Sequence, residues 1–142
     1  MPEIVGLHHL SLPASDCVVS SDWYERVLGF SRVLVEEEED AVTTVALQHN
    51  CDVLLYLRLD RRGILARRGI KALNGATYHG PALSFGVPSR RDLDAWDDWL
   101  TALGVEHSAP RQVHLGWAVD IEGPDGLLIQ LHTHERLSAD PD

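Results

Sequence analysis

The sequence predicts an α+β fold made of two copies of a strand, helix and three-strand module, and three observations carry that expectation. The stretch Leu7 to Phe30 reads as a strand, a capped turn and a helix. The same order returns between Ala82 and Gly104. Downstream of each helix, Val45, Leu47, Leu55 and Leu57 recur as Val119, Ile121, Ile129 and Leu131 at one constant spacing, which marks an internal repeat.

Each element has its own local signal. Leu10 and Leu12 alternate with His9 and Ser11, the period of a half-buried strand. Asp16, Ser20, Ser21 and Asp22 offer helix caps, Val19, Trp23 and Val27 recur at helical spacing, and Gly29 sits where a helix stops. Residues 31–37 and 41–48 read as strands on either side of the acidic run Glu36 to Asp40. Like charges at a hairpin tip form a solvated turn, since nothing there fixes the geometry that calcium or magnesium requires. The turn 49–52 then leads into a strand over 53–58.

In the second half, Leu83, Phe85 and Val87 alternate with smaller residues until Pro88 ends the run, and Ser89 to Asp92 forms a capping box. The helix that follows places Leu93, Trp96, Leu100 and Leu103 on one stripe and stops at Gly104. Residues 105–113 read as strand and turn, 116–121 as a strand, Gly123 to Gly126 as a turn, and 127–132 as the last strand. The expected organisation is a first module over 1–59, a basic linker over 60–80, a second module over 81–134 and a polar tail over 135–142.

The linker holds or adjoins Arg58, Arg61, Arg62, Arg67, Arg68 and Lys71, half of the 12 basic residues. A short helix around 64–73 fits its pattern. Three roles stay open for it: a solvated connector, an arm docking on the acidic hairpin of a partner subunit, or a lid carrying Arg side chains toward an anionic ligand.

Composition narrows the function classes. With 142 residues and 44% hydrophobic content, the chain can build one packed domain or two small modules. A formal net charge of −10 argues against nonspecific binding to nucleic acid or anionic lipid. No apolar run reaches the roughly 20 residues of a membrane span, and the start MPEIVGLHH lacks a signal core. The expectation is a cytoplasmic protein with no membrane partner. Cys17 and Cys51 have neither metal nor disulfide-framework spacing and are expected as free thiols, Cys17 buried and inert.

Strand parity separates two faces. Leu10, Leu12, Val53, Leu55, Leu57, Leu83, Phe85, Leu127, Ile129 and Leu131 form an apolar face for the helices. The other face carries His9, Ser11, Leu54, Tyr56, Arg58, Ala82, Ser84, Gln130 and His132, a mixed wall suited to a small molecule. Trp117 is the better candidate for an aromatic wall, while Trp99 lies near the helix stripe and should pack on the sheet.

The order of these elements, with HLSLPASD, WYERVLGF and GPDGLLIQL at their places, resembles the vicinal oxygen chelate superfamily of glyoxalases, extradiol dioxygenases, epimerases and bleomycin- and fosfomycin-resistance proteins. The resemblance covers nearly the whole chain. It implies two βαβββ modules whose sheets curve into a half-open barrel around the ligand, and a homodimer.

In the metal-using members, four equivalent strand positions supply His or Gln, Glu, His and Glu. By the repeat register these are His9, Tyr56, Ala82 and Gln130. Ala82 has no donor, neutral Tyr56 is a poor ligand, and Gln130 brings no charge to offset a cation. The expectation is therefore no cofactor and a small organic, antibiotic-like ligand. The alternative is a divalent ion held by His9, Gln130 and His132, with His79 or His114 reaching in. His8, His49, His107 and His134 read as surface residues. An imidazole titrates near neutrality, so His9 is also a candidate general base, with Tyr56 donating to a developing oxyanion. That makes an isomerase, lyase or oxygenase the competing class.

Overall fold

The computed structural model describes residues 1–61 and 81–134. The chain divides into two compact units, Met1–Gly69 and Ile70–Asp142. The linker helix, His79 and the tail lie outside the described residues.

The first unit runs β1 (Leu10–Ala14), α1 (Cys17–Leu28), β2 (Ser31–Glu38), β3 (Ala41–Gln48) and β4 (Leu54–Leu59), with sheet order β1-β4-β3-β2. The second runs β5 (Leu83–Val87), α2 (Arg90–Leu103), β6 (Arg111–Val113), β7 (Gly116–Glu122) and β8 (Leu128–Thr133), with order β5-β8-β7-β6. In both, the first strand pairs parallel with the last, a pairing that needs a long crossover. The helix and the intervening hairpin supply it.

The register of the two units matches the repeat read from sequence. Ser11 opposes Tyr56 in the first sheet, and Ser84 opposes Gln130 in the second. A slip of one residue would turn every side chain to the other face. Burial follows this parity: Leu55, Leu57, Val45 and Leu47 are buried in unit one, and Leu83, Val119, Ile121, Ile129 and Leu131 in unit two.

The helix ends are chemically closed. Asp16 accepts hydrogen bonds from the amides of Val18 and Val19, and Ser89 accepts from the amide of Asp92. Gly29 and Gly104 take the left-handed conformation at the C-termini, with φ of 78° and 70°, which costs little without a Cβ. His49 adds a latch: Nδ1 accepts from the Cys51 amide at 3.1 Å, which leaves the proton on Nε2 to donate to the Leu28 carbonyl at 3.0 Å.

Several local readings change. The face of α1 that packs on the sheet is Cys17, Ser20, Ser21, Tyr24, Val27 and Leu28, whereas Val19 is 64% exposed. Trp99, expected against the sheet, is 47% exposed on α2. Residues 105–113 give only the short β6 and one isolated bridge, His107 to Ile121. The acidic tip is an exposed turn, with Glu39 and Asp40 both at positive φ. Cys17 is buried and Cys51 exposed, and both are thiols outside any disulfide. No helix among the described residues is long and apolar enough to cross a membrane.

Candidate functional site

The polar faces of the two sheets collect most of the residues singled out from sequence, one group in each unit. In the first unit, β1 and β4 run side by side, so His9, just before β1, reaches the side chain of Tyr56. Their rings stack with centroids 4.2 Å apart and 17° between planes. The Arg58 guanidinium lies over the Tyr56 ring at 5.1 Å, and its Nε donates to Ser11 Oγ at 3.2 Å. An adjoining cavity of about 410 Å³ is lined by Ser11, Leu12, Pro13, Arg58, Asp60 and Arg61. Leu54 is half-buried on the same strand face.

His8 joins this cluster. Its ring meets His9 edge-on at 5.1 Å, and the two Nδ1 atoms are 2.8 Å apart. One must therefore carry the proton while the other accepts, so the two tautomers are coupled. Sequence parity placed His8 across the strand, but residues 1–9 lie outside β1 and alternation no longer governs them.

In the second unit the polar face is a hydrogen-bonded chain. Ser84 Oγ donates to Gln130 Oε1 at 3.0 Å, and Gln130 Nε2 reaches Asp120 Oδ1 at 3.4 Å. Arg111 donates to Asp120 Oδ2 through Nε at 3.0 Å and Nη2 at 2.8 Å. Ser108 Oγ accepts from the Asp120 amide at 2.9 Å. Asp120 was readable from its parity opposite to Val119 and Ile121. Arg111 was not, because its partner is set by the β6–β7 hairpin register.

Trp117, expected as a wall of the polar face, lies on the other one. It shares parity with Val119 and Ile121, which are fully buried, and Arg90 at the start of α2 covers its ring at 3.9 Å. It is an anchor between strand and helix.

His107 also differs from the surface residue expected. Its side chain is 10% exposed, with Nδ1 2.7 Å from the Val105 carbonyl and Nε2 2.7 Å from Asp97 Oδ1. Burial alone would lower its pKa, but the Val105 carbonyl and then the Asp97 carboxylate, as hydrogen-bond partner and as charge, raise it above 6.5 overall.

The four positions equivalent to a metal set do not fit a cation. Within the first unit His9 stacks on Tyr56; in the second, Ala82 is exposed and bears no donor, and Gln130 is engaged by Ser84 and Asp120. His132 Nδ1 lies 2.6 Å from the Thr133 carbonyl, to which it donates. Among the described residues no group of three or more His, Cys, Asp or Glu is arranged to hold a metal ion. The His9, Gln130 and His132 set would rest on two imidazoles and an amide already in use, without a carboxylate.

Comparison with known proteins gives the family and the fold. No protein of curated function matches the chain. Among solved structures, a glyoxylase/bleomycin resistance protein/dioxygenase domain from Frankia sp. EAN1pec superposes with a TM-score of 0.72 at 21% identity, over 95% of this chain and 96% of that one. A lactoylglutathione lyase from Agrobacterium tumefaciens gives 0.69 at 18% identity, over 96% and 99%. A mutant of the fosfomycin resistance protein FosX from Listeria monocytogenes, complexed with Mn(II) and a dihydroxypropylphosphonic acid, gives 0.68 at 15% identity, over 92% and 93%. The family model matches residues 6–131, and the chain belongs to the glyoxalase/bleomycin resistance protein/dioxygenase superfamily.

Proposed function

We propose that this protein binds a small organic molecule at the polar face of its first sheet without a resident metal ion, as a cytoplasmic homodimer akin to the antibiotic-binding members of its superfamily. One observation carries the reading. At the four strand positions where metal-using relatives place donors, this chain has an imidazole stacked on a phenol, an alanine, and an amide bound to its neighbours. Those contacts satisfy the polar groups internally and leave no anionic set to offset a dication. The face remains a mixed polar and apolar wall beside a cavity, as a small-molecule site requires.

A second reading, a metal-free isomerase or lyase, is favoured by the His8 and His9 contact. With Nδ1 of His9 occupied by His8, Nε2 is the nitrogen that would exchange a proton with a substrate, and Tyr56 is the adjacent O–H. Elemental analysis of untagged protein tests the shared premise: stoichiometric zinc, iron, nickel or manganese would overturn it. His9→Ala then separates the two classes. Retained binding with lost turnover favours the enzyme, and lost binding alone favours sequestration.

A further inference from the structure

The two polar faces balance their cations differently. In the second sheet Arg111 closes on Asp120 with two hydrogen bonds, so that face is neutralised from within. In the first, Arg61 pairs with Glu38. Arg58 has no such anion: its Nε donates to the neutral Ser11 hydroxyl, and no carboxylate among the described residues forms an ion pair with it. Arg26 and Arg91 also lack an ion pair among the described residues, but neither lines this cavity; Arg58 does, alongside Asp60 and the already paired Arg61.

Arg58 is also held in place. The Tyr56 ring beneath it and the Ser11 hydroxyl beside it fix the plane of the guanidinium. With Nε committed, the terminal amino groups remain, and this planar fork matches the two oxygens of a carboxylate or phosphonate. Leu12 and Pro13 give the same cavity an apolar wall.

Resting on the small-molecule reading above, we infer that Arg58 and Ser11 form an oxyanion subsite, and that the ligand is a small organic anion with an apolar body. The net charge of the chain would have suggested a cation. Screening confines that global field to about 8 Å at physiological salt, so the local guanidinium decides.

The test is an NMR titration at physiological salt with benzoate and with benzamide, its uncharged isostere, on wild type, Arg58→Gln, Arg58→Lys and Arg91→Gln, an exposed position on α2 of the second unit. Benzoate should shift the Arg58 Nε–Hε and Ser11 amide signals and bind about 10-fold more tightly than benzamide, about 1.4 kcal/mol. Arg58→Gln should abolish that preference, Arg58→Lys should keep part of it, and Arg91→Gln should keep all of it. Equal binding of the two probes, absence of shifts at millimolar benzoate, or a preference that survives Arg58→Gln would each overturn the subsite. Those outcomes leave metal-free binding of a neutral or cationic molecule standing, whereas stoichiometric metal in the purified protein removes the reading beneath it.

Discussion

His107 should make the stability of the second unit depend on pH in a direction opposite to that of a carboxylate. Both ring nitrogens face acceptors, the Val105 carbonyl and the Asp97 carboxylate, each at 2.7 Å. Only the imidazolium can donate to both. Hydrogen bonds to charged groups contribute about 1.5–3 kcal/mol each, and because Asp97 is 34% exposed, solvent screening trims its share, leaving about 1–2 kcal/mol for the charged pair. The folded pKa lies above the unfolded one, so this stabilisation is fully present below about pH 6.5 and is lost as pH rises through the folded value. Urea unfolding of wild type and His107→Gln between acid and alkaline pH measures it. The variant should be less stable by about 1–2 kcal/mol at the acid end, and the gap should narrow as pH rises. A gap that is constant across that range, or that widens, would refute the reasoning.

Two further substitutions probe the sheet of the second unit. Gly116→Ala should cost about 2–4 kcal/mol, because φ is 140° and a Cβ would come within 2.3 Å of Thr133 Oγ1; adding Thr133→Ala should recover part of the loss in a double-mutant cycle read by chemical denaturation. Asp120→Asn should cost only about 0.5–1 kcal/mol, since Arg111 is half exposed, yet it should shift the Gln130 side-chain amide resonances by weakening the chain that links Arg111 to Ser84.

What could be read from the sequence was what depends on alternation and repetition. The register that places Ser11 opposite Tyr56 and Ser84 opposite Gln130 follows from strict period-2 patterning, which one buried face enforces. The caps at Asp16 and Ser89 and the stops at Gly29 and Gly104 are local chemistry. What escaped depends on small or distant partners. The packed stripe of α1 passes through Ser20 and Ser21, whose small hydroxyls hide it from a hydrophobicity pattern; Ser21 satisfies its own by donating to the Val18 carbonyl at 2.9 Å. Parity grouped Trp117 correctly with Val119 and Ile121, but which face the helix covers near Arg90 is a tertiary fact. His107 looked like a turn residue because its acid, Asp97, comes from the preceding helix.

The outermost strand of the first sheet, β2, has a consequence for how these molecules behave together. Among the described residues it pairs with β3 alone, and Val33, Leu34 and Val35 stand exposed along it. The ladder breaks register after Arg32 and again after Glu36, and the strand ends in consecutive glutamates. Breaks and like charges discourage a second copy from adding its own strand there. Replacing Glu36 and Glu37 with glutamine would remove the electrostatic half of that guard, so clumping of that variant should begin at this margin, and adding Val35→Lys should delay its onset.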